Sequence, residues 1–314
     1  MSLRIVFAGS TAFSVPVLEK LWQSEHDVVA IYTRADKPAG RGRLLAETPV
    51  KHFARSLTIP IVQPETFKDT GAQLALKAFK PEVMVVVAYG LILPQAVLDI
   101  PRLGCINIHP SRLPKWRGAA PVIRTIEAGE NQTAVTIMAL NAKMDAGDIL
   151  SQVETNIGET ETADHLTTRL FQLGAEALLP VLTDLEQHRA VRIAQNDQEA
   201  THAAMVSKAE AEINWQESAT TLANKVRAFH SVPVAFTQFQ GNPLRIWEAI
   251  ALNQTPRYAP GVIEHASKEG VEVACGQGIL RLLTVQLPGK KPIAATAYWH
   301  AHRLYLVPGQ QALG

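Results

Sequence analysis

Asn107 and His109 stand two residues apart in the stretch Gly104-Cys-Ile-Asn-Ile-His-Pro-Ser-Arg-Leu-Pro-Lys-Trp-Arg-Gly-Ala-Ala-Pro121. In a β-strand alternate side chains share a face, so these two emerge together while Ile106 and Ile108 point the other way. Pro110 ends the strand, a polar turn follows, and a helix is predicted to start near Gly118. An Asn amide can donate to an oxygen that becomes negative, and an imidazole can carry a proton near neutral pH. In open α/β sheets, ligands bind where strands end in this way. Taken alone, Asn-x-His reads more readily as a core strand whose polar groups satisfy nearby backbone, so its surroundings decide its meaning.

The elements that must position the pair read as alternating strands and helices. Residues 3–8 predict a strand, 13–22 a helix and 27–33 a second strand, a βαβ opening that implies a doubly wound, mostly parallel sheet. The first turn, Gly9-Ser-Thr-Ala-Phe13, has one glycine where a dinucleotide fingerprint needs three, which disfavours a nicotinamide or flavin dehydrogenase. A long loop rich in Gly, Pro and basic residues runs over 34–51, and a loop of that length inside a domain is often functional. Further strands are expected at 59–62, 82–88 and 133–140, with helices at 71–79, 120–127 and 162–185. The apolar run Glu82-Val-Met-Val-Val-Val-Ala88 suits a central strand buried on both faces. Residues 1–189 thus form one α/β domain and 190–206 a polar linker. Residues 207–314 carry a helix at 219–229 and short strands at 243–249, 262–265, 271–275 and 279–285, the pattern of a small β-barrel.

Composition sets outer limits. The chain has 314 residues, 47% hydrophobic and 19% charged, with a formal net charge of +1. That describes a folded globular protein and argues against indiscriminate nucleic-acid binding, while leaving room for a local basic footprint. No apolar run reaches the roughly 20 residues needed to cross a bilayer, and the first residues read as a strand rather than a secretory leader. The two cysteines, Cys105 and Cys275, suit a reducing cytoplasm better than a disulfide framework. No Cys/His cluster has zinc-ligand spacing, and His300 and His302 read as surface residues.

The stretch around Asn107 resembles the signature of the folate-dependent formyltransferase family, and the similarity extends over nearly the whole chain. It is greatest toward members that formylate the methionine carried by initiator tRNA in translation initiation. The resemblance implies a Rossmann-like domain followed by a barrel of the oligonucleotide-binding type that contacts tRNA. It implies 10-formyltetrahydrofolate as cosubstrate, initiator methionyl-tRNA as partner, no metal, no membrane and a cytoplasmic monomer. The family's Asp-x-Gly-Asp element falls on Asp145-Ala-Gly-Asp148, which makes Asp145 the third catalytic residue beside Asn107 and His109. Tyr89, Gly90 and Leu91, with Ser111, Arg112, Leu113 and Pro114, match the folate site; at Leu91 and Ile92 ordinary core packing is an equal alternative. Pro38-Ala-Gly-Arg-Gly42 matches an insertion that meets the acceptor end of the tRNA, with Lys37, Arg41 and Arg43 as its basic residues. Ser10 and Thr11, Arg112, Ala134 and His230-Ser-Val-Pro233 depart from the family's usual residues.

Formyl transfer to an amine passes through a tetrahedral intermediate, which needs an oxyanion donor and a proton path. Asn107 would donate, a protonated His109 would add a charged donor, and Asp145 would favour that form and hold a relaying water. Two rivals remain. A small-amine formyltransferase would share the three residues but has no use for the basic loop. A non-catalytic tRNA-binding protein would not need all three.

Overall fold

The computed structural model describes residues 2–39, 44–302, 309 and 313–314. In chain order the first half contains β1 (Arg4–Gly9), α1 (Val15–Trp22), β2 (Asp27–Tyr32), β3 (Lys37–Ala39), β4 (Leu44–Ala46) and α2 (Pro49–Ala54). It continues with β5 (Ile61–Val62), α3 (Thr70–Ala78), β6 (Val83–Val87), α4 (Gln95–Leu98), β7 (Cys105–His109) and β8 (Arg117–Gly118). Then come α5 (Pro121–Glu127), β9 (Gln132–Ala139), β10 (Ile149–Asn156), α6 (Ala163–Glu186) and β11 (His202–Ala203). Two units are present. The first comprises residues 1–118, 132–155 and 167–203, and the second 119–131, 156–166 and 204–314.

The first unit is built on a seven-stranded sheet in the order β10-β9-β7-β6-β1-β2-β5. Its strands β7, β6, β1, β2 and β5 run parallel, and β9 pairs antiparallel with β7. All five residues of β6 are buried, as its apolar run predicts. The chain fills one side of β1 first and then crosses to β6, so the strand order reverses between β1 and β6. Such a reversal leaves a crevice at the carboxyl ends of the strands. Ser10 and Tyr89 to Leu91 follow β1 and β6 there, and Val86 pairs with Asn107 on the neighbouring β7. Adjacent strands therefore bring the loop after residue 87 beside the Asn-x-His pair. Gly174 lets α6 lie close on β7, since a Cβ there would come within 2.6 Å of Ile108 Cγ2.

The structure differs from the sequence reading in several places. Lys37–Ala39 and Leu44–Ala46 pair as an antiparallel ladder where an open loop is expected, with Lys37 opposite Ala46 and Pro38 opposite Leu45. Pro38 is tolerated because a two-stranded ladder is all edge. No helix begins at Gly118. Arg117 and Gly118 pair in parallel with His202 and Ala203, and Gly118 takes a φ of 123°, where a Cβ would lie 2.7 Å from Ala203 O. The helix starts at Pro121, whose ring fits a first helical turn. The strand β10 is not legible in the sequence, because its half-exposed residues alternate weakly.

The second unit continues with α7 (Ala219–Ala228), β12 (Phe236–Phe239), β13 (Asn242–Leu252), β14 (Ile263–Ser267), β15 (Gly270–Ala274), β16 (Ile279–Gln286), β17 (Ile293–Ala294) and α8 (Ala295–His302). Its sheet is antiparallel in the order β12-β13-β16-β15-β14, with β17 added to β16. Leu244, Ile263, Val271, Leu282 and Val285 converge with Tyr298 of α8 on one core, as a strongly curled sheet requires. The helix α5, though early in sequence, belongs to this unit, where Arg124 bonds Glu210 and the Ala204 carbonyl.

Candidate active site

His109, the last residue of β7, is buried, and its Nε2 donates to the Trp116 carbonyl at 2.9 Å. A carbonyl only accepts, so the neutral ring carries its proton on Nε2 and turns the Nδ1 lone pair outward. Asp145 Oδ2 lies 3.7 Å from that Nδ1, too far for a direct hydrogen bond. Burial lowers the His109 pKa and outweighs the opposing pull of Asp145 and of the Trp116 carbonyl. The ring therefore rests neutral in the free protein, not in the protonated form that would donate to an oxyanion at rest. Asn107, on the same face of β7, is half-buried, and its amide makes no hydrogen bond among the described residues.

Asp145 comes from the turn between β9 and β10. Its carboxylate accepts from Gly118 N–H at 2.8 Å, and its own backbone sits at a φ of 48°. That left-handed conformation is uncommon outside Gly, although Asp is among the residues that adopt it, and the surroundings hold it here. Two features enforce the turn. Gly147 approaches the chain so closely that a Cβ would lie 1.7 Å from Ala139 O. The side-chain amide of Gln195 donates to the carbonyls of Asp145 and Gly147, at 2.9 and 2.7 Å. Asp148, the other carboxylate of the element, is half-buried in this turn and its carbonyl accepts from Ala139 N–H.

The segment after His109 is held from the neighbouring strands. Thr136 Oγ1 donates to Ser111 O at 2.7 Å, and Gln152 Nε2 donates to Leu113 O and to Thr136 Oγ1. Ser111 is fully buried with its hydroxyl on Lys115 O, and Leu113 is buried too, so both act as scaffold. Arg112 pairs with Glu154 of β10 at 2.8 Å on the surface. The Leu113–Pro114 peptide is cis. Trp116 takes a φ of 63° and presents its carbonyl to His109.

Across the reversal point, Tyr89 turns its ring into the core against Phe67 and leaves its backbone toward the crevice. Burial raises its phenol pKa well above the ordinary range. Ile92 is 87% exposed, which excludes core packing there, while Leu91 packs partly against the core. Ser10 donates to Tyr89 O at 2.8 Å and accepts from Arg34 N–H at 3.2 Å. One hydroxyl thus ties together the ends of β1, β2 and β6, which gives the unusual serine in this turn a structural reason. Arg34, not singled out from sequence, lies so close to Gly90 that a Cβ there would meet its Nη1 at 3.3 Å.

The structure brings Asn107, His109 and Asp145 to one place, with the 111–114 loop beside them. The hairpin residue Lys37 is exposed and takes no part in that cluster; Arg41 and Arg43 lie outside the described residues. Sequence reasoning missed Gln195, Thr136 and Gln152. Each is an ordinary polar residue far along the chain from the group it holds, and only pairing of distant segments exposes it. Among the described residues no group of three or more His, Cys, Asp or Glu is placed to hold a metal ion, and no helix is long and apolar enough to cross a membrane.

Residues 3–182 match the family model described as formyl transferase, and residues 205–303 match its C-terminal domain. The chain is 48% identical to a methionyl-tRNA formyltransferase of Hydrogenovibrio crunogenus over 302 residues, 96% of this chain and 97% of that one. It is 46% identical to a methionyl-tRNA formyltransferase of Coxiella burnetii over 314 residues, the full length of both. The chain therefore belongs to the formyl transferase family and, within it, to the methionyl-tRNA formyltransferases. Its fold is also similar to that of HypX from Aquifex aeolicus, solved in complex with tetrahydrofolic acid, with a TM-score of 0.65 and 18% identity. That match covers 95% of this chain and 47% of the other.

Proposed function

We propose that this enzyme transfers the formyl group of 10-formyltetrahydrofolate to the α-amine of methionine on initiator tRNA, in the cytoplasm, by direct acyl transfer. The carrying observation is the pairing of His109 Nδ1 with Asp145 Oδ2, 3.7 Å apart beside an Asn107 amide with no hydrogen bond of its own among the described residues, in a chain of this family. The amine lone pair attacks the formyl carbon, a C–N bond forms, and the carbonyl electrons move onto oxygen. Collapse of the tetrahedral intermediate breaks the bond to the folate nitrogen. One proton leaves the amine and one arrives on that nitrogen, so no net proton is consumed.

Asn107 donates its free amide N–H to the oxygen as charge develops, an interaction stronger in the transition state than before it. His109 rests neutral, so its Nδ1 accepts the proton that the amine loses as the intermediate forms. A proton there turns the 3.7 Å contact with Asp145 into a charge-assisted interaction. The cation then lies beside the oxyanion when that charge is largest. Asp145 fixes this geometry and, with a water, passes that proton from Nδ1 to the folate nitrogen as the bond to it breaks. No residue needs to bond covalently to the formyl group.

The cosubstrate's place is the crevice beside Tyr89, Gly90 and Leu91 and the 111–114 loop. Tyr89, Ser111 and Leu113 shape it through backbone, being buried themselves, and Pro114 lines its rim. Arg112, paired with Glu154, is a surface position of this loop. Lys37, Arg41 and Arg43 meet the acceptor end of the tRNA, and residues 207–314 supply the remaining tRNA surface. The enzyme acts as a monomer and without metal. The test is incubation with 10-formyltetrahydrofolate and methionyl initiator tRNA, scored by N-formylation, with an amino-sugar nucleotide as the competing acceptor. Formylation of the sugar amine and none of the tRNA overturns the reading.

A further inference from the structure

We propose that Gln195 is a positioning residue for the reaction, acting through Asp145; this rests on the reading of Asn107, His109 and Asp145 just given. Gln195 lies in a polar stretch with no chemistry of its own to announce. Its amide is nonetheless used on both ends. Nε2 donates to Asp145 O at 2.9 Å and Gly147 O at 2.7 Å, and Oε1 accepts from Arg117 Nε at 3.0 Å. Arg117 is chain neighbour to Gly118, whose N–H holds the Asp145 carboxylate at 2.8 Å. The bonds form a closed ring, from the Asp145 carbonyl through Gln195, Arg117 and Gly118 back to the Asp145 carboxylate.

The ring fixes the quantity that matters for catalysis. Where the carboxylate points is decided by the Asp145 backbone, which sits at a φ of 48° in the left-handed region. Holding its carbonyl from one side and its carboxylate from the other leaves one orientation, the one that faces His109 Nδ1. The same short segment serves His109 directly, because Trp116, next to Arg117, accepts the ring's Nε2 proton. Arg117 is itself locked. Its side chain is only 7% exposed, Nη1 pairs with Asp197 at 2.8 Å, and its N–H bonds Thr201 O. Donor and acceptor polarity match at every link. Only an amide of this length can donate to two carbonyls while accepting from a guanidinium.

The test compares Gln195→Met and Gln195→Glu with wild type and with Asp145→Asn, each alone and with Gln195→Met combined with Asp145→Asn. Gln195→Met keeps the volume and removes these three bonds, along with the weak 3.8 Å contact of Nε2 with Met138 Sδ. Gln195→Glu keeps the partner of Arg117 but sets a carboxylate against two carbonyls. Both are expected to lower kcat by about 10- to 100-fold, the scale of a misplaced catalytic group, with KM for folate and for tRNA little changed. The pH–rate profile should shift, since the His109–Asp145 geometry sets it. In the Asp145→Asn background, Gln195→Met should cost almost nothing further, because both changes act on one group. A merely structural Gln195 would instead lose activity equally in both backgrounds, in step with melting temperature. That outcome, or near-normal kcat in Gln195→Glu, overturns the inference. If Gln195→Met fails to fold, Gln195→Glu, the same in size, decides by its kcat and pH profile. Full activity of Asp145→Asn alone would strike the underlying reading of the site instead, and is thereby distinguished.

Discussion

The turn that carries Asp145 and the hairpin of β3 and β4 both extend from the first unit, and they are held in opposite ways. The turn is fixed from every side. Gly118 N–H holds its carboxylate, Gln195 holds two of its carbonyls, and Gly147 allows an approach that no side chain would permit. The hairpin is secured at its base, where Lys51 pairs with Asp36 at 2.6 Å and Gln63 bonds both Asp36 and the Arg34 carbonyl. Beyond that base it presents exposed side chains, Lys37 and a 73% exposed Leu45 among them. Proton transfer and oxyanion binding demand positions fixed to a fraction of an ångström. Contact with a large charged polymer is served by reach and charge, with less demand on any one position.

Predictions that break or sharpen this contrast begin with the groups proposed to be catalytic. Asn107→Ala, His109→Ala and Asp145→Ala should each lower the formylation rate by on the order of 100- to 1,000-fold or more. Their losses should combine far short of additively, because the three serve one intermediate. Single-turnover rates with thermal melts check this, and a near-normal rate in any variant removes that residue from the mechanism. Gly147→Ala ranks next. Its methyl would lie 1.7 Å from Ala139 O, so the turn must shift and carry Asp145 with it. About 100-fold lower kcat is expected, together with a lower melting temperature. A fully active Gly147→Ala would show that the turn tolerates displacement, and the contrast with the hairpin would fail.

The hairpin should respond differently and less. Arg41→Ala and Lys37→Ala should each weaken use of tRNA by about 1–3 kcal/mol at most, leaving folate affinity and melting temperature unchanged. The salt dependence of tRNA binding should be shallower than in wild type, since fewer counterions are released. Equal loss of folate binding, or unaltered tRNA kinetics in both variants, would remove the hairpin from tRNA recognition.

How far the sequence reveals this division follows from the range of each interaction. The pair Asn107 and His109 is legible because strand alternation is local, and the buried run at 83–87 because period and composition agree. The antiparallel β9 beside β7 is invisible, since a strand's own residues do not encode its neighbour's direction. The pairing of Lys37–Ala39 with Leu44–Ala46 is hidden by Pro38, which argues against a strand except at an edge. Gln195 is hidden most thoroughly. It bonds residues 48 to 78 positions away, and nothing in its own neighbourhood differs from a solvated connection.

The smallest effect concerns two buried histidines and separates stability from chemistry. His26 accepts from Leu3 N–H through Nδ1 at 3.3 Å, and burial lowers its pKa, as it lowers that of His109. In the unfolded chain both take up a proton as pH falls through about 6.5. In the folded protein they resist it. Folded-state stability is therefore complete above that value, declines as pH falls below it, and levels off once the folded-state values are passed. Carboxylates act in a lower window. Glu210, held near 2 first by its hydrogen bond to Arg124 and then by Ser207, gives up its contribution only as pH falls from about 4.5 toward 2. Melting temperature should thus fall modestly between pH 7.5 and 5.5, before the carboxylates matter. His26→Asn should flatten that decline and leave the pH–rate profile unchanged. His109→Asn should flatten it too, and also abolish turnover at every pH. An unaltered melting slope in both variants would mean that neither ring is held neutral by burial. The proposal that His109 begins the reaction unprotonated would then fall with it.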